Sequence, residues 1–535
     1  MSGARAAIAG ALLFGSVAAI VLARFTSAAY PTGDIALIEL YTREALAGRL
    51  LEGPYSHFPW HHPGPICFYL FAPFYVAGGR TTAALNAGAA FVGLSSAAAI
   101  IWIASRGRSF GVALLVSGCI AAWVLRVDRL LVSVWNPHIV VLPAAAALVA
   151  AAGVAAGDSA LLPCLIVAVS FVAQTDVALA PTLIVCSLAA AVAHSARARF
   201  SARQIAIAAV LLALLWLPTI VEQVWLGPGN LTALWRFFAG AHGGGQSFVS
   251  SLGAWSAMIV APYRAEVVLP TGAALVATPG VESVFACALM LAAAGAAIVS
   301  YRAGERWLAS FSGLSALASL VALWSVTRID GTIADHQVFW ISILGVLEAA
   351  AVLSVVAARS VRPIRSVRPI RSVRPIRSVR LQADLSDLSS AVNRIAPIGC
   401  AIVMLVLVGS AWAGMNRVRQ GSAPVTIFLP SIANFGESIR VHLERNGVRR
   451  PLVRIGQQEW GVTAGILLQL NRLGLPFSVE ESWAPMFPLS MRERGSEDIE
   501  VTFAATGSNP DLAKRPGDAM IDMSTHVEVH AMPRR

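Results

Sequence analysis

The sequence predicts an all-α polytopic membrane protein of about eleven transmembrane helices, followed by a C-terminal extracytoplasmic α/β domain. Three observations predict it. Apolar runs recur from the N-terminus to residue 416, arginines cluster in alternate loops, and residues 417–535 switch to short alternating strand and helix patterns. The chain is 57% hydrophobic and 13% charged, with a mean hydropathy of +0.69. A soluble domain carries about a quarter charged residues. The net charge of +11 would suit nucleic acid, but its placement between apolar runs follows the positive-inside pattern, so the expected partner is the bilayer.

The first apolar run, residues 6–27, reads as an uncleaved helix rather than a signal peptide, because it is long enough to span and more spans follow. Further spans are expected near 82–104, 110–126, 138–157, 160–174, 177–194, 204–225, 280–301, 307–327, 335–357 and 396–416. The shorter run Ile66–Val76, aromatic and flanked by prolines and Gly78-Gly79, fits an interfacial helix. That choice puts Arg5, Arg106, Arg108, Arg197, Arg199, Arg203, Arg302, Arg306 and the arginines of 359–380 on one side, the cytoplasm. Arg24, Arg43, Arg49 and Arg80 fall outside and are the main exceptions near the N-terminus. The N-terminus is then cytoplasmic, and the loops 28–65, 126–138, 174–176, 226–279 and 328–336 face outward with the C-terminal domain.

Residues 359–380 repeat RSVRPI, too charged and proline-rich to pack a core. A tolerated repeat expansion outweighs a lipid-headgroup contact as its explanation. In the C-terminal part, strands are expected at Val425–Leu429, Leu452–Ile455, Phe477–Glu480, Ile499–Ala504 and His526–Val529, with helices at Gly436–Arg445 and Glu459–Leu473. The six cysteines lie in apolar segments without a CxxC pair, so they read as packing residues. Lys514 is the only lysine, an arginine bias that points to a GC-rich bacterial genome.

The first outward loop concentrates the chemistry. Asp34, just past the first helix, is the candidate general base, and it also reads as the N-cap of an interfacial helix Ile35–Leu46 that carries Glu39. His57, Trp60, His61 and His62 follow, closing on Pro63-Gly64-Pro65. Adjacent histidines diverge by about 100° on a helix and oppose each other in an extended segment. One metal is therefore poorly served, and one ring faces the site while the other packs. Trp135-Asn136-Pro137-His138 repeats the pattern at another outward helix start, with Arg126 and Arg129 before it. Gln174-Thr175-Asp176 is a polar triplet in a hairpin, read as a turn or as an inward-facing acid. Arg328, at a membrane boundary, and Arg264 are further anion-binding candidates. A divalent metal is compatible with these residue types but not required by them.

Taken in order, Gly33-Asp34 after the first span and the stretch His62-Pro63-Gly64-Pro65-Ile66-Cys67-Phe68-Tyr69 resemble the polytopic glycosyltransferases of the GT-C fold. That class includes protein O-mannosyltransferases, lipid A aminoarabinose transferases and mycobacterial arabinosyltransferases. Trp216-Leu217-Pro218, Gly229-Asn230-Leu231 and Trp235-Arg236-Phe237-Phe238 resemble a bacterial branch, actinobacterial in character. The layout covers roughly residues 1–340. The resemblance implies a polyprenyl-phosphate sugar donor, Asp34 as base, and cationic or histidine side chains around the lipid phosphate. Three departures stand out: Ile35 follows Asp34 where a second acid is common, His61-His62 replaces a basic residue, and Gly64 separates the two prolines.

The expected function is transfer of a sugar to an envelope glycan, lipid or protein acceptor at the outer face of a bacterial plasma membrane, by an inverting-type displacement. His61 or His62 with one of Arg126, Arg129, Arg264 and Arg328 would stabilise the leaving phosphate. Glu39, His57, Trp60, Trp135, Asn136, His138, Gln174 and Asp176 would line the substrate. The rival readings are a transporter or flippase of lipid-linked sugars and an inactive scaffold in envelope assembly. Spans nearly free of charge argue against transport.

Overall fold

The computed structural model describes residues 2–24, 30–56, 58–106, 110–225, 227, 229–240, 245–264, 270, 272–360, 431–456, 459–505, 519–523 and 527–533. The predicted span 396–416, the strand Val425–Leu429, His57 and nearly all of the RSVRPI repeat lie outside them.

Helix α1 (Ser2–Arg24) enters the bundle, and α2 (Gly33–Leu46) and α3 (Ile66–Ala77) follow it across the first loop. Then come α4 (Thr82–Ser105), α5 (Phe110–Arg126), the short α6 (Asn136–Ile139), α7 (Val141–Ala155), α8 (Leu162–Thr175), α9 (Ala180–Ser195) and α10 (Ala202–Trp225). Among the described residues seven helices are long and apolar enough to cross a membrane, and this is a multi-pass membrane protein. Helix α7 is wholly buried, as an alanine-rich helix that is apolar all round should be, and α4, α8, α9 and α14 (Arg306–Val326) pack around it. Helix α10 sits at the edge with little of its surface covered.

The expected open loop 226–279 instead holds α11 (Asn230–Ala239) and α12 (Phe248–Val260) before α13 (Val281–Arg302). Helix α12 buries Trp255 and Ile259 against α13, α14 and α16 (Ser342–Ser360), with the single turn α15 (Asp335–Val338) beside it. Its thirteen residues are too few for a span, and its serines and Gly253 dilute the apolar signal, which is why the run reads as loop in the sequence.

The C-terminal unit opens with α17 (Ser431–Arg445), whose Ile432, Phe435, Ile439 and Leu443 form one buried stripe at helical spacing. It continues through β1 (Pro451–Ile455), α18 (Trp460–Arg472), β2 (Ser478–Val479), β3 (Ile499–Ala505), β4 (Ala519–Met523) and β5 (Val527–Pro533). The sheet order is β2-β1-β3-β5-β4. β1 pairs in parallel with β2 and β3, and β5 runs antiparallel to β3 and β4. Strand β4 was not expected from the sequence.

Helix α2 joins the two units. Its Ile38, Tyr41 and Ala45 belong to the bundle core, whereas Ala36, Leu37 and Leu40 belong to the core of the C-terminal unit. The expected surface-lying helix is thus buried on two faces, because α18 covers the side that composition alone leaves open. Burial of each leucine contributes about 1.5–3 kcal/mol. The same contact puts the first loop and the C-terminal unit at one end of the bundle. The arginine loops gather at the other end: Arg106 pairs with Asp158 at 3.1 Å, Arg197 donates to the Ala155 carbonyl at 2.8 Å and Arg359 to that of Val299 at 2.9 Å.

Candidate functional site

The first loop folds back on itself between α2 and α3. The His62 N–H donates to the Pro54 carbonyl at 2.8 Å, and a Cβ on Gly53 would lie 2.3 Å from the His62 carbonyl oxygen. Gly64 meets Gln174 and Thr219 as closely, and its N–H donates to the Gln174 carbonyl at 3.2 Å. Asn230, the first residue of α11, clamps the loop from the bundle side. It accepts from the His61 N–H at 2.7 Å and donates to the His61 carbonyl at 2.9 Å, while both Glu222 oxygens accept from its own N–H at 3.0 Å.

The two histidine rings part, as an extended pair ahead of a proline must. The His61 Nδ1 lies 3.3 Å from the Gly53 carbonyl and 3.5 Å from the Tyr41 hydroxyl, so it carries the proton and Nε2 is left as an acceptor. That Nε2 faces Glu52 at 3.9 Å, too far for a hydrogen bond. Burial pushes His61 down to about 4, so the ring is neutral near pH 7 and the contact is no ion pair. Glu52 itself is buried and pushed up to about 7 by desolvation, with Arg492 of the C-terminal unit 3.3 Å away pulling it back.

His62 turns into the bundle. Its Nδ1 accepts from the Val177 N–H at 3.0 Å, which puts the proton on Nε2, where the Asn136 side-chain amide lies at 3.2 Å. Burial pushes His62 down to about 3, and neighbouring His61 and His336 add to the shift. Asp176 is also buried, capping the turn after α8 by accepting from the Ala178 N–H at 3.1 Å, and desolvation raises it to about 6. The Trp135 ring lies tilted 5.6 Å from His336 and edge-on 5.1 Å from His138, whose Nδ1 lies 3.0 Å from the Ser133 hydroxyl. His62, Asn136, Asp176, Trp135 and His138 thus come together, with His336 among them.

Asp34 is not the N-cap of α2; Thr32 holds that position, and Asp34 sits within the first turn. Gly33 opens the helix at φ +53°, a left-handed conformation that glycine adopts without strain, beside the Trp460 ring of the C-terminal unit. The half-buried Asp34 carboxylate accepts a hydrogen bond from the Tyr55 hydroxyl. Burial and that carboxylate raise the Tyr55 phenol far above its ordinary range, so it stays a donor.

Other predicted residues have structural partners. Glu39 is fully buried, bound by Arg472 at 2.7 and 2.8 Å, by Tyr75 at 2.7 Å and by Thr82 at 2.9 Å. Trp60 packs against Phe58, Phe237 and Phe238 with its edge on His62. Arg126 donates to the carbonyls of Pro262 and Arg264, closing the end of α12, and Arg264 forms a two-point ion pair with Glu282. Gln174 donates to the Leu215 carbonyl at 2.9 Å. Arg129 is half-buried and close enough to His138 to act on it electrostatically, and Arg328 is exposed. Among the described residues no group of three or more His, Cys, Asp or Glu is arranged to hold a metal ion.

No protein-family model matches the chain, and no curated protein matches its sequence. Solved structures do match. ArnT from Cupriavidus metallidurans in the apo state superposes with a TM-score of 0.56 at 12% identity, covering 97% of each chain. The same protein bound to undecaprenyl phosphate gives 0.54 at 12% identity and the same coverage. The chain has the GT-C fold. A third structure, the oligosaccharyltransferase AglB from Archaeoglobus fulgidus, matches at a TM-score of 0.38 and 11% identity over 92% of this chain and 69% of its own.

Within this GT-C fold Glu52, Tyr55, Glu222 and Arg492 were not expected at the site, and Asn230 was singled out only as part of Gly229-Asn230-Leu231. Glu52-Gly53-Pro54-Tyr55 lies in the same loop as the histidines, and an acid and a phenol flanking Gly-Pro were the available signal. Arg492 has no such signal, since it reaches Glu52 from 440 residues away.

Proposed function

We propose that this chain is a membrane glycosyltransferase that moves a sugar from a polyprenyl-phosphate donor to a hydroxyl of an envelope glycan, lipid or protein acceptor. One observation carries the reading: the fold is shared over 97% of each chain with a protein solved with undecaprenyl phosphate bound. In this reading residues 1–416 form the transmembrane domain and 417–535 an α/β domain on the external face of a bacterial plasma membrane, with a cytoplasmic N-terminus.

Asp34 takes the acceptor proton while the acceptor oxygen bonds to the anomeric carbon and the carbon–phosphate-oxygen bond breaks, the lipid phosphate leaving with the electron pair. The Tyr55 hydroxyl bonds one Asp34 oxygen and leaves the other for the acceptor. His61 and His62 are neutral near pH 7, so neither offers a positive charge, and the His61 N–H is already directed at the Gly53 carbonyl. The charge that stabilises the departing phosphate then comes from Arg129 or Arg328, because Arg126 and Arg264 are already engaged. Trp135, Asn136, His138 and Asp176 line the donor side. Purified protein incubated with a panel of polyprenyl-phosphate sugars and envelope acceptors tests the reading. Transfer from at least one donor is expected. Movement of lipid-linked sugar across liposomes with no transfer would establish the flippase instead.

A further inference from the structure

Arg43, Arg49 and Arg80 sit at the end of the bundle opposite the arginine-rich loops, against the positive-inside pattern. The structure brings all three to one crevice of about 410 Å³, between the end of α2, the end of α3 and the start of the loop after α18. Glu44 is bonded twice to Arg49, at 2.9 and 3.1 Å, which neutralises that pair. Arg43 is half-buried yet bonded only to neutral groups, the Asn471 side chain and carbonyl and the Tyr75 hydroxyl. Of its five N–H donors three are used, so two remain for a ligand. Among the described residues neither Arg43 nor Arg80 has a carboxylate partner.

Arg80 adds an independent observation. Among the described residues it is the one non-glycine at positive φ, +59°, a conformation that disfavours any side chain and that Gly79 next to it adopts freely. A guanidinium is therefore held at the crevice against a backbone cost. The surroundings are amphipathic. Leu46 lines the crevice and is 37% exposed, Val76 on the last turn of α3 is 50% exposed, and the span α4 begins two residues after Arg80. Two guanidinium groups without a carboxylate partner among the described residues, beside exposed aliphatic chains at the end of a span, match a lipid phosphate, with the acyl chains running down the helices.

We propose that this crevice binds the phosphate headgroup of an anionic membrane phospholipid, at a site separate from the transfer centre. Arg43 lies nine residues along α2 from Asp34, about 13 Å at 1.5 Å per residue, so the two positions cannot share one phosphate. Its lipid would bridge the bundle to the C-terminal unit, because Asn471 anchors Arg43 from that side.

The test uses the full-length protein in nanodiscs of phosphatidylcholine alone and of equal parts phosphatidylcholine and phosphatidylglycerol. Melting temperature and co-purified lipid, counted by native mass spectrometry, are the readouts, and neither depends on transfer activity. Wild type is expected to melt higher with phosphatidylglycerol and to retain it. Arg80→Gly is expected to melt at or above wild type in phosphatidylcholine, since glycine relieves the backbone, yet to lose most of the phosphatidylglycerol shift. Arg43→Gln is expected to lose it as well. A wild type indifferent to phosphatidylglycerol, or variants that respond as wild type does, would overturn the site. If inorganic phosphate reproduces the shift in phosphatidylcholine discs, the ligand is a soluble phosphate and the lipid assignment fails.

Discussion

Buried between Arg492 and His61, the Glu52 carboxyl is pushed up to about 7 because it has lost water. A folded-state value above the ordinary one near 4.5 means that neutral Glu52 favours the fold. That stabilisation is complete below about pH 4.5 and is lost as pH rises through about 7, an effect of up to roughly 3 kcal/mol. Glu52→Gln removes the titration, so its melting temperature should stay flatter than that of wild type between pH 5 and 8, an expectation that thermal melts across that range check. His61 and His62 carry the opposite sign. Burial depresses both, so their stabilisation is full above about 6.5 and is lost as pH falls through about 4 and about 3. The acid limb of the profile should therefore persist in Glu52→Gln. At this scale the parting of the two histidine rings was legible, because an extended pair ahead of a proline must diverge. The Tyr55 bond to Asp34 was not, since the two lie twenty-one positions apart, across the rest of α2 and the irregular loop after it.

The loop that carries these groups depends on glycine for close approach more than for turning. A Cβ at Gly53 meets two carbonyl oxygens, at 2.3 and 2.7 Å, and backbone atoms cannot rotate aside as a side chain would. Gly53→Ala should cost about 1–3 kcal/mol of stability as overpacking and abolish transfer with it, read by melting temperature and a transfer assay. Gly15→Ala, in α1 with open space around it, should instead gain about 0.5–1 kcal/mol. Most elements follow from the sequence because length and hydropathy decide them, as in α4, α7 and α13. Two do not. Helix α12 is short and serine-bearing, so its burial comes from neighbours rather than from its own composition. Helix α2 mixes apolar residues with Glu39, Arg43 and Glu44, which reads equally as a membrane-surface helix or as one buried between two bodies, and only the distant α18 decides.

Across the whole molecule, Glu39 and Arg472 tie the two units together through a buried pair 433 residues apart, with Tyr75 and Thr82 completing the carboxylate's bonds. Removing one partner strands the other charge, at a cost of about 3–5 kcal/mol. Arg472→Ala should therefore loosen the C-terminal unit, seen as faster hydrogen exchange in α2 and α18 than in the bundle core. No local pattern announces that pair, which is why Glu39 reads in the sequence as a substrate-lining acid. In the proposed reaction, transfer takes place at the shared end of α2, the first loop and the C-terminal unit, with Asp34 as the proposed base. The most direct measurement is the rate of sugar transfer by Asp34→Asn against wild type, with binding of the lipid-phosphate donor measured in parallel. We predict a loss of about 10²–10⁴-fold in rate with donor binding retained. An Asp34→Asn protein that transfers sugar at the wild-type rate would contradict the account.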